Sequence, residues 1–355
     1  MRSVPHRRGA ALVAAAIFLG ACGGGASQSP SSAPPSTSPT TVATATPEPT
    51  CDPFPTQDVE FVVPYSAGGG FDTWARLVAP YLEEQLGGDH SVVVVNKSGA
   101  GGLVGVTEVY GSEPDGHTIA ITEPGILATS QIGGTTEMDV NTIMGVGQIA
   151  VDPEMIVVKG DSPWNTIQDV QAAAADGPLL MGTGGLAAIN IITFDALDIP
   201  FENIVHEGSS EAMLSVIRGD TVITIFPLVT VQEQVASGEL KPLLLVGTPR
   251  VEGQPGYEES KDVPTLDEVV NQPGIGSALE QHRVIVAPPG TSECVQTALS
   301  DALIAALADP DFIAQATEAG RFPVPLTGAE ATEVIQNTYT VLEGYADLLK
   351  EQLGE

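Results

Sequence analysis

The sequence predicts an α/β protein of two lobes, each built on a parallel-rich sheet. Three observations carry this. The 355 residues exceed what one simple core usually holds. Short apolar runs rich in Val and Ile alternate with amphipathic stretches, the pattern of strand–helix units rather than of a bundle. The 39 glycines and 28 prolines, with only 5% aromatic residues, suit many short strand–turn–helix units.

The first segment is an address. Arg2, His6, Arg7 and Arg8 precede the apolar stretch GAALVAAAIFLG, which is too short for the roughly 20 residues of a membrane span but fits a signal peptide. It ends in Leu19-Gly20-Ala21-Cys22. That ending resembles a bacterial lipobox, which implies removal of residues 1–21 and lipidation of Cys22. Residues 22–50 are almost wholly Gly, Ser, Pro, Thr and Ala, which cannot bury enough apolar surface to order themselves. They read as a tether, spanning roughly 30 Å as a coil. The expected location is the extracytoplasmic face of the cell membrane, held by a lipid anchor. Cys51 and Cys294 remain outside the cytoplasm and are available for a disulfide, although spacing alone leaves their pairing open.

The charge bounds the partners. Thirteen Lys and Arg face 45 Asp and Glu, a net −32. With Arg2, Arg7 and Arg8 gone the mature chain stands at −35. There is no basic stripe to displace counterions from phosphates, so nucleic acid is not an expected partner. After residue 21 no apolar run approaches the length of a span.

In the body, Val59–Val63 reads as a buried strand. A helix follows, with Trp74, Leu77, Val78, Tyr81, Leu82 and Leu86 on one face and Asp72 as its N-cap. Pro80 on the opposite face is expected to bend or weaken it. Trp74 reads as core packing, and Arg76 as a partner for an acid. Further strands are expected at 91–96, 117–122, 154–160, 178–185, 203–208, 221–227, 240–247 and 282–288. Helices are expected at 162–175, 186–197 and 291–309, and one long final helix at 327–352 opens with a Thr327–Glu330 capping box.

Ligands of open α/β sheets bind at the carboxyl ends of strands, where helix N-termini offer unpaired N–H groups. Tyr65-Ser66-Ala67-Gly68-Gly69-Gly70-Phe71, before a helix opened by Asp72, is therefore an expected anion cradle. Met181-Gly182-Thr183-Gly184-Gly185 also follows a strand and precedes a helix, and two such turns facing across a cleft would clamp a small anion. Thr122, at the end of a strand, joins the candidate ligand contacts. Tyr65 and Phe226 serve either the cleft or the core. No dinucleotide fingerprint, phosphate loop, nucleophile elbow or H-E-x-x-H motif is present. His90, His117, His206 and His282 lack metal spacing and read as surface or loop residues, His206 being the most suggestive because it follows a strand. No metal, cofactor or catalytic residue is expected.

Four stretches resemble the receptors of the tripartite tricarboxylate transporter family, the TctC or Bug proteins. These are VPYSAGGGFDTWARLVAPYLEEQLG, VVVVNKSGAGGLVGVTEVYGSEPDGHTIAI, SGELKPLLLVGTPRVEG with DVPTLDEV, and VIVAPPGTSECVQTALSDALIAALADPDF. The resemblance covers about residues 59–350. It implies a Venus-flytrap fold like that of type II periplasmic binding proteins, with residues 51–154 and 281–355 in lobe 1 and 155–280 in lobe 2. It implies a hinge near 152–156 and 277–283, and a monomeric receptor that hands a small carboxylate to membrane permease subunits. The ligand's carboxylate would meet Ser66 to Phe71, and the second lobe would close with Gly182 to Gly185. The chain departs from the family at Ala187 or Ala188 and Asn190, at His206-Glu207-Gly208, and at Ile223, around the distal end of the ligand. His206 and Glu207 would favour a basic or hydroxyl group there. A sensor of the same fold, signalling ligand state to a membrane partner, is the alternative function.

Overall fold

The computed structural model describes residues 53–183, 188–206 and 208–353. The leader, Cys22, the tether and Cys51 lie outside them. Lobe 1 begins with β1 (Val59–Val63), α1 (Gly70–Gln85), β2 (Val92–Asn96), α2 (Leu103–Tyr110), β3 (Thr118–Thr122), α3 (Pro124–Gly133) and β4 (Met144–Asp152). Lobe 2 follows with β5 (Glu154–Lys159), α4 (Ile167–Ala174), β6 (Leu179–Thr183), α5 (Ala188–Ala196), β7 (Phe201–Val205), α6 (Ser209–Arg218), β8 (Ile223–Pro227), α7 (Leu228–Ala236) and β9 (Leu240–Val246). Short helices α8 (Tyr257–Ser260), α9 (Leu266–Val270) and α10 (Ile275–Ala278) lead back to β10 (Gln281–Ala287). The chain ends in α11 (Glu293–Leu307), α12 (Pro310–Glu318), β11 (Leu326–Thr327), α13 (Gly328–Glu343) and α14 (Ala346–Leu353).

Two sheets result, in the orders β11-β4-β10-β3-β1-β2 and β7-β6-β8-β5-β9. The βαβ parts are parallel: β1 pairs with β2 and β3, and β6 with β7 and β8. The strands that carry the chain between lobes are antiparallel to their neighbours. β4 runs outward and β10 returns, so Asp152 lies opposite Gln281. β5 likewise runs against β8 and β9. Each sheet is therefore mixed, parallel among its βαβ strands and antiparallel at the strands between lobes, because a chain that leaves a lobe and re-enters it must reverse direction.

β4 is absent from the sequence reading. Its glycines make it read as loop, yet they are required by packing. A Cβ on Gly145 would lie 2.7 Å from the Gly328 carbonyl, and one on Gly147 would lie 2.6 Å from Leu303. β2 is apolar but forms a sheet edge, with Val93 exposed. The final helix is two helices, α13 and α14, parted at Gly344 and Tyr345. Its Thr327–Glu330 capping box is present as expected.

Phe61, Trp74, Leu82, Ile119, Ile149 and Phe312 anchor the core of the first sheet. Ile156, Ile167, Met181, Phe194, Ile223 and Leu244 anchor that of the second, joined by Leu349 of α14 and Ala128 of α3. Burying each such side chain stabilises by about 1.5–3 kcal/mol. No helix among the described residues is long and apolar enough to cross a membrane.

Candidate ligand-binding site

The chain turns sharply after β1. Gly68 has φ +81°, a conformation that favours glycine. Ser66 through Gly70 are exposed, and α1 starts at Gly70. Its first-turn N–H groups, those of Gly70, Phe71 and Asp72, have no intrahelical acceptors. Asp72 is not the N-cap. Gly69 holds that position without a side-chain bond, and Asp72 sits two residues into the helix, buried. Its carboxylate accepts from the Gly68 N–H (2.7 Å), the Asn96 amide (2.8 Å) and Arg76 Nε (3.0 Å). Burial pushes this carboxyl up, but Arg76, Gly68 and Asn96 outweigh it and hold the pKa at about 2. Asp72 thus braces the turn as a fixed anion, and Arg76 is its structural partner.

The aromatic pair Tyr65–Phe71 fills the space behind the turn, with ring centroids 4.4 Å apart. A second glycine turn packs against it. Gly102 has φ +111°, and a Cβ there would lie 2.9 Å from the Tyr65 ring. The Arg283 guanidinium lies 5.3 Å from the Phe71 centroid on another side. The Tyr65 hydroxyl and Thr122 Oγ1 are buried beside each other, and neither has another hydrogen-bond partner among the described residues. Burial, then the Glu123 carboxylate, pushes the Tyr65 hydroxyl well above its usual range.

A cavity of about 450 Å³ lies between the two sheets. Gly101, Glu123 and Ser130 line it from lobe 1, Ile189 from lobe 2, and Glu154 and Glu280 from the two crossings. Glu123 caps α3, accepting from the N–H groups of Gly125 (2.8 Å) and Ile126 (3.0 Å). Burial nevertheless raises its pKa to about 7, against the pull of those N–H groups and of Arg283. Glu280 accepts from the Thr248 N–H at 2.5 Å, and burial raises it too to about 7. Glu154, 6% exposed, is pushed up by burial and then by Asp152 and Glu123. Beside them Asp152 bonds Arg250 (2.8 Å) and, by a very short contact, Arg283, whose Nη2 donates to Gln281 (2.7 Å). Arg250 follows β9 and Arg283 lies on β10, so this buried network ties the outgoing crossing to the returning one.

The predicted second-lobe residues are placed differently from the first turn. Gly182 lies inside β6, where a Cβ would meet Ser215 Oγ and Thr221 Oγ1 at 2.8 Å each, so it is a packing glycine beneath α6. Thr183 is buried and its hydroxyl donates to Asn203 (2.5 Å). Gly184, Gly185 and Glu207 lie outside the described residues. Asn190 is buried on α5, just beyond Ala188 and Ile189 of the cavity wall. The His206 N–H donates to the Thr183 carbonyl (2.7 Å), and its Nε2 is buried without a partner. Phe226 packs into the apolar cluster around Met155 and Val157. His117 and His282 are corrected from surface or loop residues to buried ones. His117 accepts from the Thr56 N–H (3.0 Å), and His282 contacts Gln148 (2.7 Å) and the Ser277 carbonyl (2.9 Å). Cys294 is disulfide-bonded.

The cavity acids escape sequence reading. Each stands at the edge of an apolar strand, where a lone carboxylate reads as a solvated end. The only signal is their position: Glu123 follows β3, Glu154 opens β5 straight after Pro153, and Glu280 precedes β10.

Two α/β lobes joined by paired crossings, with a cavity between their sheets, form the frame of a two-lobed binding protein. The chain belongs to the tripartite tricarboxylate transporter receptor family, whose model matches residues 74–343. It is 27% identical over 308 residues to a UPF0065 protein in the TAR-I ttuE–ttuC′ intergenic region of Agrobacterium vitis, covering 84% of this chain and 86% of that one. A TctC solute-binding protein from Polaromonas superposes with TM-score 0.71 at 25% identity, covering 84% of this chain and 99% of its own. The periplasmic binding protein BugD does so with TM-score 0.62 at 27% identity, covering 84% and 98%.

Proposed function

We propose that the protein captures a small carboxylate between its lobes and delivers it to the membrane permease subunits of a tripartite tricarboxylate transporter, acting from a lipid anchor at Cys22. The observation that carries this is the first glycine turn. It is exposed, it ends at a helix N-terminus where the N–H groups of Gly70, Phe71 and Asp72 have no intrahelical acceptor, and the carboxylate of its own acid, Asp72, is taken up by Gly68, Asn96 and Arg76. Charge-assisted N–H bonds at about 1.5–3 kcal/mol each are sufficient for micromolar affinity. Neutral amides supply the local positive potential that the −35 mature chain otherwise lacks. A malate-bound MatC and an adipate-bound protein, both of Rhodopseudomonas palustris and at 20% and 24% identity, share the fold. A ligand that touches both lobes would favour the closed form over the open one.

The test is a thermal-shift screen of the full chain against mono-, di- and tricarboxylates, amino acids and sugars. A carboxylate-bearing compound is expected to raise the melting temperature, and a response to sugars alone would overturn the reading. The anchor has its own test. Cys22→Ala is expected to move the protein from the membrane fraction to the soluble fraction, and retention in the membrane would exclude lipidation there as the attachment. For Cys294 the proposed disulfide partner is Cys51, and a linked peptide in a non-reduced digest is the expected product.

A further inference from the structure

Glu154 is a buried carboxylate that no structural role explains. It lines the cavity at 6% exposure, and no hydrogen bond reaches its side chain among the described residues. The other two acids of the cavity wall are engaged: Glu123 caps α3 and Glu280 accepts from Thr248. A buried charge without a partner is costly, and native structures retain one mainly where something binds it. The local balance of charge is negative. The charged groups around Glu154 are Asp152, Glu123 and Arg283, and around Glu280 they are Asp152, Arg250 and His282, the last kept neutral by burial. Two arginines therefore face four carboxylates, and both arginines already bond Asp152. A metal ion is not the complement, since no group of three or more His, Cys, Asp or Glu side chains among the described residues is placed to hold one.

The same region adjoins the glycine turn. Arg283 stacks on Phe71 at 5.3 Å, its Nη2 would lie 3.7 Å from a Cβ on Gly70, and its charge acts on Glu154. Ser66–Phe71 do not themselves line the cavity; Arg283 is the link, standing beside Gly70 at one end and bonding Asp152, next to Glu154, at the other. We propose that the solute is a small zwitterion, with a carboxylate at the glycine turn of Ser66–Phe71 and a protonated amine directed at Glu154 across the cavity. This rests on the carboxylate-receptor reading and names the ligand's second group. An ammonium would supply the three donors that Glu154 lacks, whereas a second carboxylate there would meet like charge. Both neutral and acidic distal ends would be discriminated against.

Matched probes test it by calorimetry on the full chain at neutral pH: succinate, butanoate and 4-aminobutanoate; adipate, hexanoate and 6-aminohexanoate; and the common α-amino acids. At least one amine-bearing carboxylate is expected to bind about tenfold or more tightly than every amine-free one. Glu154→Gln is expected to remove that preference by weakening the amine-bearing carboxylates, while succinate and adipate bind as tightly as before or more tightly. The variant should fold, since glutamine keeps the size of a side chain that no hydrogen bond holds among the described residues, and its unliganded melting temperature should equal or exceed that of the wild type. Amine-free carboxylates binding as tightly as their amino counterparts, or a preference that survives Glu154→Gln, would overturn the zwitterion while leaving the carboxylate receptor in place. Failure of every carboxylate, with or without an amine, would overturn both.

Discussion

Replacing Asp152 by Asn is expected to lower the melting temperature by about 5–15 °C, from a loss of about 3–5 kcal/mol when a buried ion pair loses one partner. Asp152 is 8% exposed, and it bonds two arginines that are themselves buried. An amide offers one acceptor and turns an NH₂ toward a guanidinium. Removing Asp152 also relieves its repulsion of Glu154 and Glu280, but that acts through space, while the arginines lose direct bonds. The direct bonds dominate. Glu154→Gln, only two residues away, carries the opposite expected sign, because Glu154 has no bonded partner among the described residues to lose. Thermal denaturation of both variants at pH 7 checks the pair. A melting temperature for Asp152→Asn within about 1 °C of wild type would show that the crossing network contributes little.

The unliganded protein is expected to be more stable at pH 5 than at pH 8, by about 5 °C or more in melting temperature. In the folded state burial holds Glu123 and Glu280 at about 7 and Glu154 well above its usual value, whereas unfolded glutamates titrate near 4.5. The folded chain therefore binds more protons than the unfolded chain between about pH 4.5 and 7. Stability contributed by these groups is fully present below about 4.5 and is lost as pH rises through about 7. Asp72 acts in the other direction: its pKa of about 2 contributes stability above the usual aspartate value, lost only as pH falls toward 2. Self-repulsion of the acidic surface adds to the loss at high pH, but about 0.5 M salt screens it and leaves the buried groups nearly untouched. Melting curves at pH 5, 6, 7 and 8 in that salt separate the two. A flat or rising melting temperature would mean the cavity acids are ionised without penalty. A cationic ligand group would reverse their shift, so its binding at pH 7 should release protons.

The first glycine turn shows how far residue order carries. Val59–Val63, the glycines and the apolar face of α1 are local patterns, and the structure places them as read. Asp72 was legible as important but not in its role. Three bonds from Gly68, Asn96 and Arg76 decide that role, and Asn96 comes from another strand. Gly182 shows the converse: a glycine that reads as a ligand turn is held by the close approach of Ser215 and Thr221. β4 escaped notice because glycines needed by Leu303 and Gly328 erased its strand signal.

The α/β class, the two lobes, the acidic surface and the glycine turn before α1 are legible in residue order, because periodicities of two and 3.6 residues, glycine's backbone freedom and composition are carried by neighbours in the chain. The receptor family is legible only through the resemblance of four stretches to the TctC or Bug proteins. Only the tertiary structure decided the antiparallel crossings, the Arg250–Asp152–Arg283 network and the cavity wall of Glu123, Glu154 and Glu280. The three cavity acids alone lie up to 157 positions apart, from Glu123 to Glu280. The desolvation that raises their pKa values comes from the whole fold closing around them, and no local pattern encodes that.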